Sequence, residues 1–390
     1  MAWAKLMRTL LGWALRLVLM ALLAALVVGF LKRDELARLW AVNTLFDQDR
    51  IVDNFSHMDR AFLSAPLTSK AGTPLPMGPK TALPDGMEDW MAERRVTSMV
   101  VLRNGAVTHE SYYLGTEAGD LRIGWSLSKS FISALAGVVK AEGHIASLDD
   151  PVTQYVPQLA GGAYDRATVR HVLTMTTGVT FDEDYTDYNS DINRMGRILA
   201  LGGRMDDYAT GLTETFTTPG TDWQYVSIDT HVLGMVLRGA TGRSVIDLMG
   251  EKIIAPLGLS AAPYYLTDGA GVAFALGGLN MTARDFARFG QMFAQGGRWE
   301  GTQVVPADWV LTSTTASAPT GPTEYGYGFQ WWMPTDARPR EYMGRGIYGQ
   351  YLYINEEEQV VIALTAADPD FRDGTVQREH ITWFRRIADG

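Results

Sequence analysis

The chain contains no cysteine, which excludes disulfides, thiolate metal sites and a cysteine nucleophile together. Lysine is scarce: there are seven in 390 residues, and none after Lys252. The six histidines (57, 109, 144, 171, 231 and 380) form no H-E-x-x-H or H-x-H pair, so a zinc hydrolase would lack its ligands and no metal is expected. There is no G-x-S-x-G elbow, which argues against an α/β-hydrolase. No G-x-x-x-x-G-K-S/T loop occurs and no G-x-G-x-x-G supports a nucleotide site, so no cofactor is expected. The net charge of −10 is spread without a basic block, and nucleic acid is not an expected partner. With 46% apolar and 20% charged residues, the composition is that of a globular protein.

Long apolar runs are absent too, with one exception at the N-terminus. Leu17 to Leu31 carries no charge, and the apolar character extends back to Thr9 with only Arg16 interrupting. Those 23 residues suffice for a bilayer core that needs about 20, and Arg16 is close enough to one end to snorkel. Lys5 and Arg8 precede the run, but no small-x-small cleavage site follows before Lys32 and Arg33. An uncleaved anchor is therefore expected rather than a signal peptide. Lys32, Arg33 and Arg38 weaken the charge asymmetry that would set its orientation.

The rest divides by composition. Residues 1–33 read as the anchor, and 34–90 as a membrane-proximal helix followed by a Pro/Gly-rich connector from Ser64 to Gly86. Residues 91–390 read as the globular domain, and a chain starting near Asp53 is expected to be soluble and active. Two β-rich runs flank Asn104-Gly105, a two-residue hairpin signal, and two more flank Glu356 to Glu358 near the other end. Between them the pattern is helical: Ser126 to Glu142, Ala167 to Thr176, Ser227 to Gly239, Ser244 to Leu257 and Thr282 to Gln295. A helix over Val376 to Ala388 closes the chain. This predicts an α+β fold with one antiparallel sheet built from both termini (about 91–125 and 280–390). A helical lobe (about 126–279) is inserted, with a cleft between the two.

In that cleft one pattern carries chemistry. "GWSLSKSFIS" holds the chain's only S-x-x-K, Ser126 and Lys129. In a helix starting near Ser126 the two share a face, with Cβ atoms about 5–6 Å apart. A serine hydroxyl needs a base at neutral pH, and a desolvated lysine with lowered pKa can serve. The following residues are small and apolar, as a core helix requires. The competing reading is a capping serine with a solvated lysine.

With that motif in place, the sequence from about Asn54 onward resembles the serine hydrolases related to class C β-lactamases and D,D-peptidases. That group includes esterases and the 6-aminohexanoate-dimer hydrolases. "WSLSKSF", "RATVRHVLTMTTGV", "WQYVSIDTHVLGMVL", "GGLNMTARDFARFG" and "GRGIYGQYLYI" occur in the family's order. The resemblance implies a β-lactamase/transpeptidase-like fold, Ser126 as nucleophile, and Lys129 and Tyr225 as proton carriers. It also implies an oxyanion hole from the backbone N–H groups of Ser126 and Ile347. Tyr185, Ser227, Arg345 and Gly346 become substrate-binding candidates. Lys129 is expected either as a neutral base or as the cation that holds Tyr225 ionised, and Ser227 as a helix N-cap. Tyr353-Ile354-Asn355, the literal Y-x-N, falls inside a strand and reads as a decoy.

Two departures from the β-lactamase pattern bear on substrate. Ser227 stands where asparagine is usual, and Gly344-Arg345-Gly346 stands where Lys-Thr-Gly is usual. A small-molecule ester or linear amide is therefore expected in preference to a β-lactam or D-amino-acid peptide. A non-catalytic, membrane-tethered binder of peptides or cell-wall fragments is the alternative from another class, but it has no use for the Ser126, Lys129 and Tyr225 trio. The resemblance implies a bacterial, periplasmic catalytic domain. The sequence leaves the oligomeric state open.

Overall fold

Asn104 and Gly105 both adopt positive φ, 50° and 78°, and fold Val96–Arg103 back onto Ala106–Tyr112. The computed structural model describes residues 1–390 apart from the side chain of Ala4. It extends that hairpin into a seven-stranded sheet in which every neighbouring pair is antiparallel. From the hairpin the order runs through Val360–Ala366, Gln350–Asn355, Glu341–Gly346 and Trp332–Met333 to Gly326–Tyr327. Ile362 pairs with Val101, which joins the two ends of the chain as expected. Both central strands are buried on both faces, so they read as continuous apolar runs rather than alternating ones. The C-terminal helix Gly374–Asp389 packs Phe384 and Ile387 on one face of the sheet. Ala283–Ala294 covers the other face, where its Phe289 stacks 3.6 Å from Phe131 of the helix Ser128–Ala141.

Three expectations need correction. A second sheet, with order Leu63–Pro66, Tyr264–Thr267, Leu279–Met281, Arg122–Ile123, was not legible. Its strands of two to four residues are too short to show alternation. The helix expected over Ser244 to Leu257 is interrupted: Val245–Met249 gives way to a π-helical turn, Gly250–Ile254, before Ala255–Leu257. Gly250 lies so close to Thr68 that a Cβ would sit 2.9 Å from its backbone nitrogen.

The third correction concerns the N-terminal segment. One helix, Lys5–Leu31, is long and apolar enough to cross a membrane, with mean hydropathy 2.6 and none of it buried by the rest of the chain. The helices that follow, Arg33–Asn43 and Ile51–Ser56, do not form a separate tether. Leu45, Ile51, Phe55, Met58 and Phe62 are buried in the main core. Buried Arg122 donates to the Val52 carbonyl at 2.6 Å and to Ser56 Oγ at 2.8 Å. Arg95 reaches the Gln48 carbonyl at 2.9 Å, and Arg38 the Ala200 carbonyl at 3.0 Å. A cut at Asp53 would strip Leu45, Phe46 and Ile51 from their packing in the main core.

A chain starting at Arg33 is therefore expected to be soluble and to unfold cooperatively. One starting at Asp53 loses two buried apolar side chains, Leu45 and Ile51, worth about 2–5 kcal/mol each, and is expected to melt at least about 5 °C lower. Equal melting temperatures in parallel thermal scans would show that residues 33–52 are dispensable to the core.

Candidate active site

Ser126 follows a strained residue. Trp125 has φ 46°, in the left-handed region that a tryptophan seldom enters. It opens a 3-10 turn, Trp125–Leu127, that leads into the helix Ser128–Ala141. Ser126 thus stands on the turn ahead of the α-helix rather than inside its first turn, and three residues per turn bring Lys129 into line with it. The Lys129 ammonium donates to Ser126 Oγ at 2.8 Å and to the Leu276 carbonyl at 2.8 Å. Lys129 is only 1% exposed, so it is not the solvated lysine of the competing reading. Burial pushes its pKa well below the ordinary lysine value, while the charge of Glu183 pulls the other way.

Tyr225 precedes the helix Ser227–Thr241 and lies with its ring centroid 5.2 Å from Lys129 Nζ. Burial and the Glu183 charge raise its pKa well above that of a free phenol, against the pull of the Ser126 and Ser227 hydroxyls and of Arg345. Burial thus shifts the two groups in opposite directions, lowering the pKa of Lys129 and raising that of Tyr225. Ser227 is not an N-cap. It is the first helical residue behind Val226, and no side chain caps this end. Its backbone N–H instead donates to the Glu183 carboxylate.

Glu183 is the site residue that sequence reasoning passed over. It also accepts the Tyr185 hydroxyl at 3.1 Å, and burial raises its pKa while Lys129 and the Ser227 N–H lower it. One carboxylate therefore binds the Tyr185 loop to the start of the Tyr225 helix and faces the buried lysine. Its only signal was position, in the acidic stretch "FDEDYTD" two residues before Tyr185.

The third motif approaches from the sheet. A Cβ on Gly344 would fall 2.3 Å from Leu127 Cδ1, and one on Gly346 would fall 2.4 Å from the Gly124 carbonyl oxygen. Both glycines thus let the strand Glu341–Gly346 press against the nucleophile turn. Ile347 comes next, and neither its backbone N–H nor that of Ser126 is engaged by a carbonyl among the described residues. Tyr348 then takes φ 58° and Gly349 φ 83°, so the literal G-x-G-x-x-G of residues 344–349 is a strand-to-strand turn and not a phosphate loop.

Arg345 does not line the cavity beside Ser126, although its charge acts on Tyr225. Alternation along the strand turns it to the other face from Gly344 and Gly346. There its guanidinium lies 4.8 Å from the ring of Tyr325, 5.0 Å from Trp332 and 5.7 Å from Tyr351. The Tyr353 decoy also faces away and donates to Glu341 at 2.6 Å. What does converge is Ser126, Lys129, Tyr225 and Tyr185 with the Ile347 N–H. Ser126, Tyr185 and Ile347 line a cavity of about 270 Å³.

The model of the family described as Beta-lactamase matches residues 87–382 of this chain. The chain belongs to the Beta-lactamase family. It is 32% identical over 308 residues to the 6-aminohexanoate-dimer hydrolase of Paenarthrobacter ureafaciens, covering 75% of this chain and 78% of that one. Esterase EstB of Burkholderia gladioli is 28% identical over 191 residues, 43% of this chain and 47% of the esterase. Among solved structures, a Bacillus anthracis protein of the 6-aminohexanoate-dimer hydrolase type superposes with TM-score 0.80 at 23% identity, over 88% of this chain and 95% of that one. These similarities establish the β-lactamase/transpeptidase-like fold and a serine hydrolase.

In this Beta-lactamase-family site, Gly346→Ala must drive the strand end away from the nucleophile turn. The expected result is a fall in kcat of at least about tenfold on p-nitrophenyl butyrate, since losing one oxyanion donor costs about a hundredfold or more. An unchanged kcat would show that the strand end can shift without cost.

Proposed function

We propose that the protein hydrolyses carboxylic esters or linear amides through an acyl-enzyme on Ser126. The observation that carries this is the 2.8 Å contact between Ser126 Oγ and the buried Lys129 ammonium. In the neutral form Lys129 takes the Oγ proton as Oγ attacks the carbonyl carbon. The developing oxyanion accepts hydrogen bonds from the Ser126 and Ile347 N–H groups. The neutral phenol of Tyr225 hands its proton to the departing alcohol or amine and is recharged through Lys129. Water then enters by the reverse route and releases the acid. Glu183 and Tyr185 shape the wall beside the reacting bond, and Ser227 and Gly346 hold Tyr225 and Ile347 in place.

Preference for esters and linear amides follows from the position of Arg345. The third motif holds no lysine, and Arg345 is packed among the rings of Tyr325, Trp332 and Tyr351, so the lysine that usually binds a β-lactam carboxylate has no direct substitute. The relatives named 6-aminohexanoate-dimer hydrolase and esterase support the same substrate classes. We further propose that the helix Lys5–Leu31 anchors the enzyme in a bacterial inner membrane with its catalytic body in the periplasm.

Ser126→Ala is expected to lose more than about a thousandfold in kcat/KM on p-nitrophenyl butyrate, as nucleophile removal elsewhere does. Lys129→Arg, which keeps charge but cannot act as a base, should be nearly as inactive as Lys129→Ala. Wild-type rates in Lys129→Arg would reduce the lysine to an electrostatic neighbour.

The pH profile supplies a separate check. Activity requires deprotonated Lys129, so kcat/KM rises as pH passes upward through its coupled titration with Glu183. Burial lowers that titration, so the acid limb should end well below the ordinary lysine value of about 10.4. A rate still climbing through pH 10 would mean that the base is not the buried lysine.

A further inference from the structure

The cavity above Ser126 is built unevenly. Arg197 is the only charged residue among those lining it, and its guanidinium is already engaged, lying 3.8 Å over the exposed ring of Tyr188. The rest of the wall is dominated by apolar side chains from separate parts of the chain. Ile192, Met195 and Leu199, at helical spacing on Asp191–Ala200, form one side, and Phe274 forms another. Val42 and Phe46 form a third, and they belong to the stretch directly after the membrane-length helix. Arg38 holds that stretch against the Asp191–Ala200 helix through the Ala200 carbonyl. Arg33–Asn43 is 11 residues long, so the cavity wall begins within about 16 Å of the end of that helix, measured along the chain.

The cavity also has a side relative to the reacting bond. Ser126 and Ile347 line it, whereas Tyr225 does not. With Tyr225 taken as the proton donor to the leaving group, the acyl chain is assigned to the chamber and the leaving group to the Tyr225 side.

We propose that this chamber takes the hydrocarbon acyl chain of an amphiphilic ester presented at the membrane surface. This rests on the reading of Ser126 as nucleophile. Ser126 breaks the bond between the acyl carbon and the alcohol oxygen, the alcohol leaves with a proton, and water releases the fatty acid. A short polar acyl group would leave the apolar wall wetted, while each methylene of a longer chain that enters it adds to binding.

The test uses the full-length protein in phosphatidylcholine vesicles with p-nitrophenyl acetate, butyrate and octanoate. The expected result is a kcat/KM at least about tenfold higher for octanoate than for acetate, and a ratio that collapses in Leu199→Trp, where the indole fills the chamber. Turnover of acetate and butyrate with no gain for octanoate overturns the acyl-chain proposal and leaves the serine mechanism standing. No turnover of any ester overturns the acyl-chain proposal, and if Ser126 also fails to react with a fluorophosphonate the serine mechanism falls with it. A ratio unchanged in Leu199→Trp places the chain elsewhere and overturns the assignment of the chamber.

Discussion

An ammonium held out of water organises this site. Lys129 sits at 1% exposure with two acceptors, Ser126 Oγ and the Leu276 carbonyl, and Glu183 as its nearby countercharge. Removing such an ion from water costs several kcal/mol unless its surroundings compensate. Here burial lowers the Lys129 pKa despite Glu183, which is the condition the proposed general base requires. The residues around it serve that condition. Leu276 comes from the loop leading into the second sheet, Glu183 from the loop before Asp191–Ala200, and Tyr225 from the start of Ser227–Thr241. Three separate segments must be in place before the lysine is dry.

Strain is the second constraint. Trp125 and Tyr348 both carry positive φ, and they adjoin Ser126 and Ile347, whose N–H groups form the proposed oxyanion hole. Such conformations persist only where packing over-determines them. Phe46 provides that packing from the N-terminal segment, stacking on Tyr348 at 4.9 Å and lying 5.8 Å from Trp125, with Phe55 closing the cluster at 5.5 and 5.6 Å. The segment after the membrane-length helix is thus part of the catalytic body. Gly344 and Gly346 serve the same approach, because a side chain at either would hold the strand away from the turn.

Much of this was legible in the sequence. The Asn104-Gly105 hairpin and the Thr282 to Gln295 helix rest on local periodicity or turn chemistry and stand as read, while the S-x-x-K pair is brought together by a 3-10 turn rather than by the α-helix itself. Tyr225 became legible through the resemblance of its motif. Glu183 was not, because nothing local separates one acid in "FDEDYTD" from its neighbours; its importance comes from the distant residues folded against it. The setting of Arg345 was hidden for a related reason: the pleat, not the motif, puts its guanidinium among aromatic rings on the face opposite Gly344 and Gly346. The short second sheet and the packing of Leu45 and Phe46 were hidden because long-range burial leaves little trace in segments of two to six residues.

The central claim is that Ser126 forms a covalent acyl-type adduct because a neutral, buried Lys129 activates it. Intact-protein mass spectrometry after exposure to a fluorophosphonate, followed by peptide mapping, tests it directly. The account predicts one adduct per chain, located on Ser126, forming in the wild type and suppressed in Lys129→Ala. An adduct on another residue, or labelling of Ser126 at the same rate without the lysine, would contradict it.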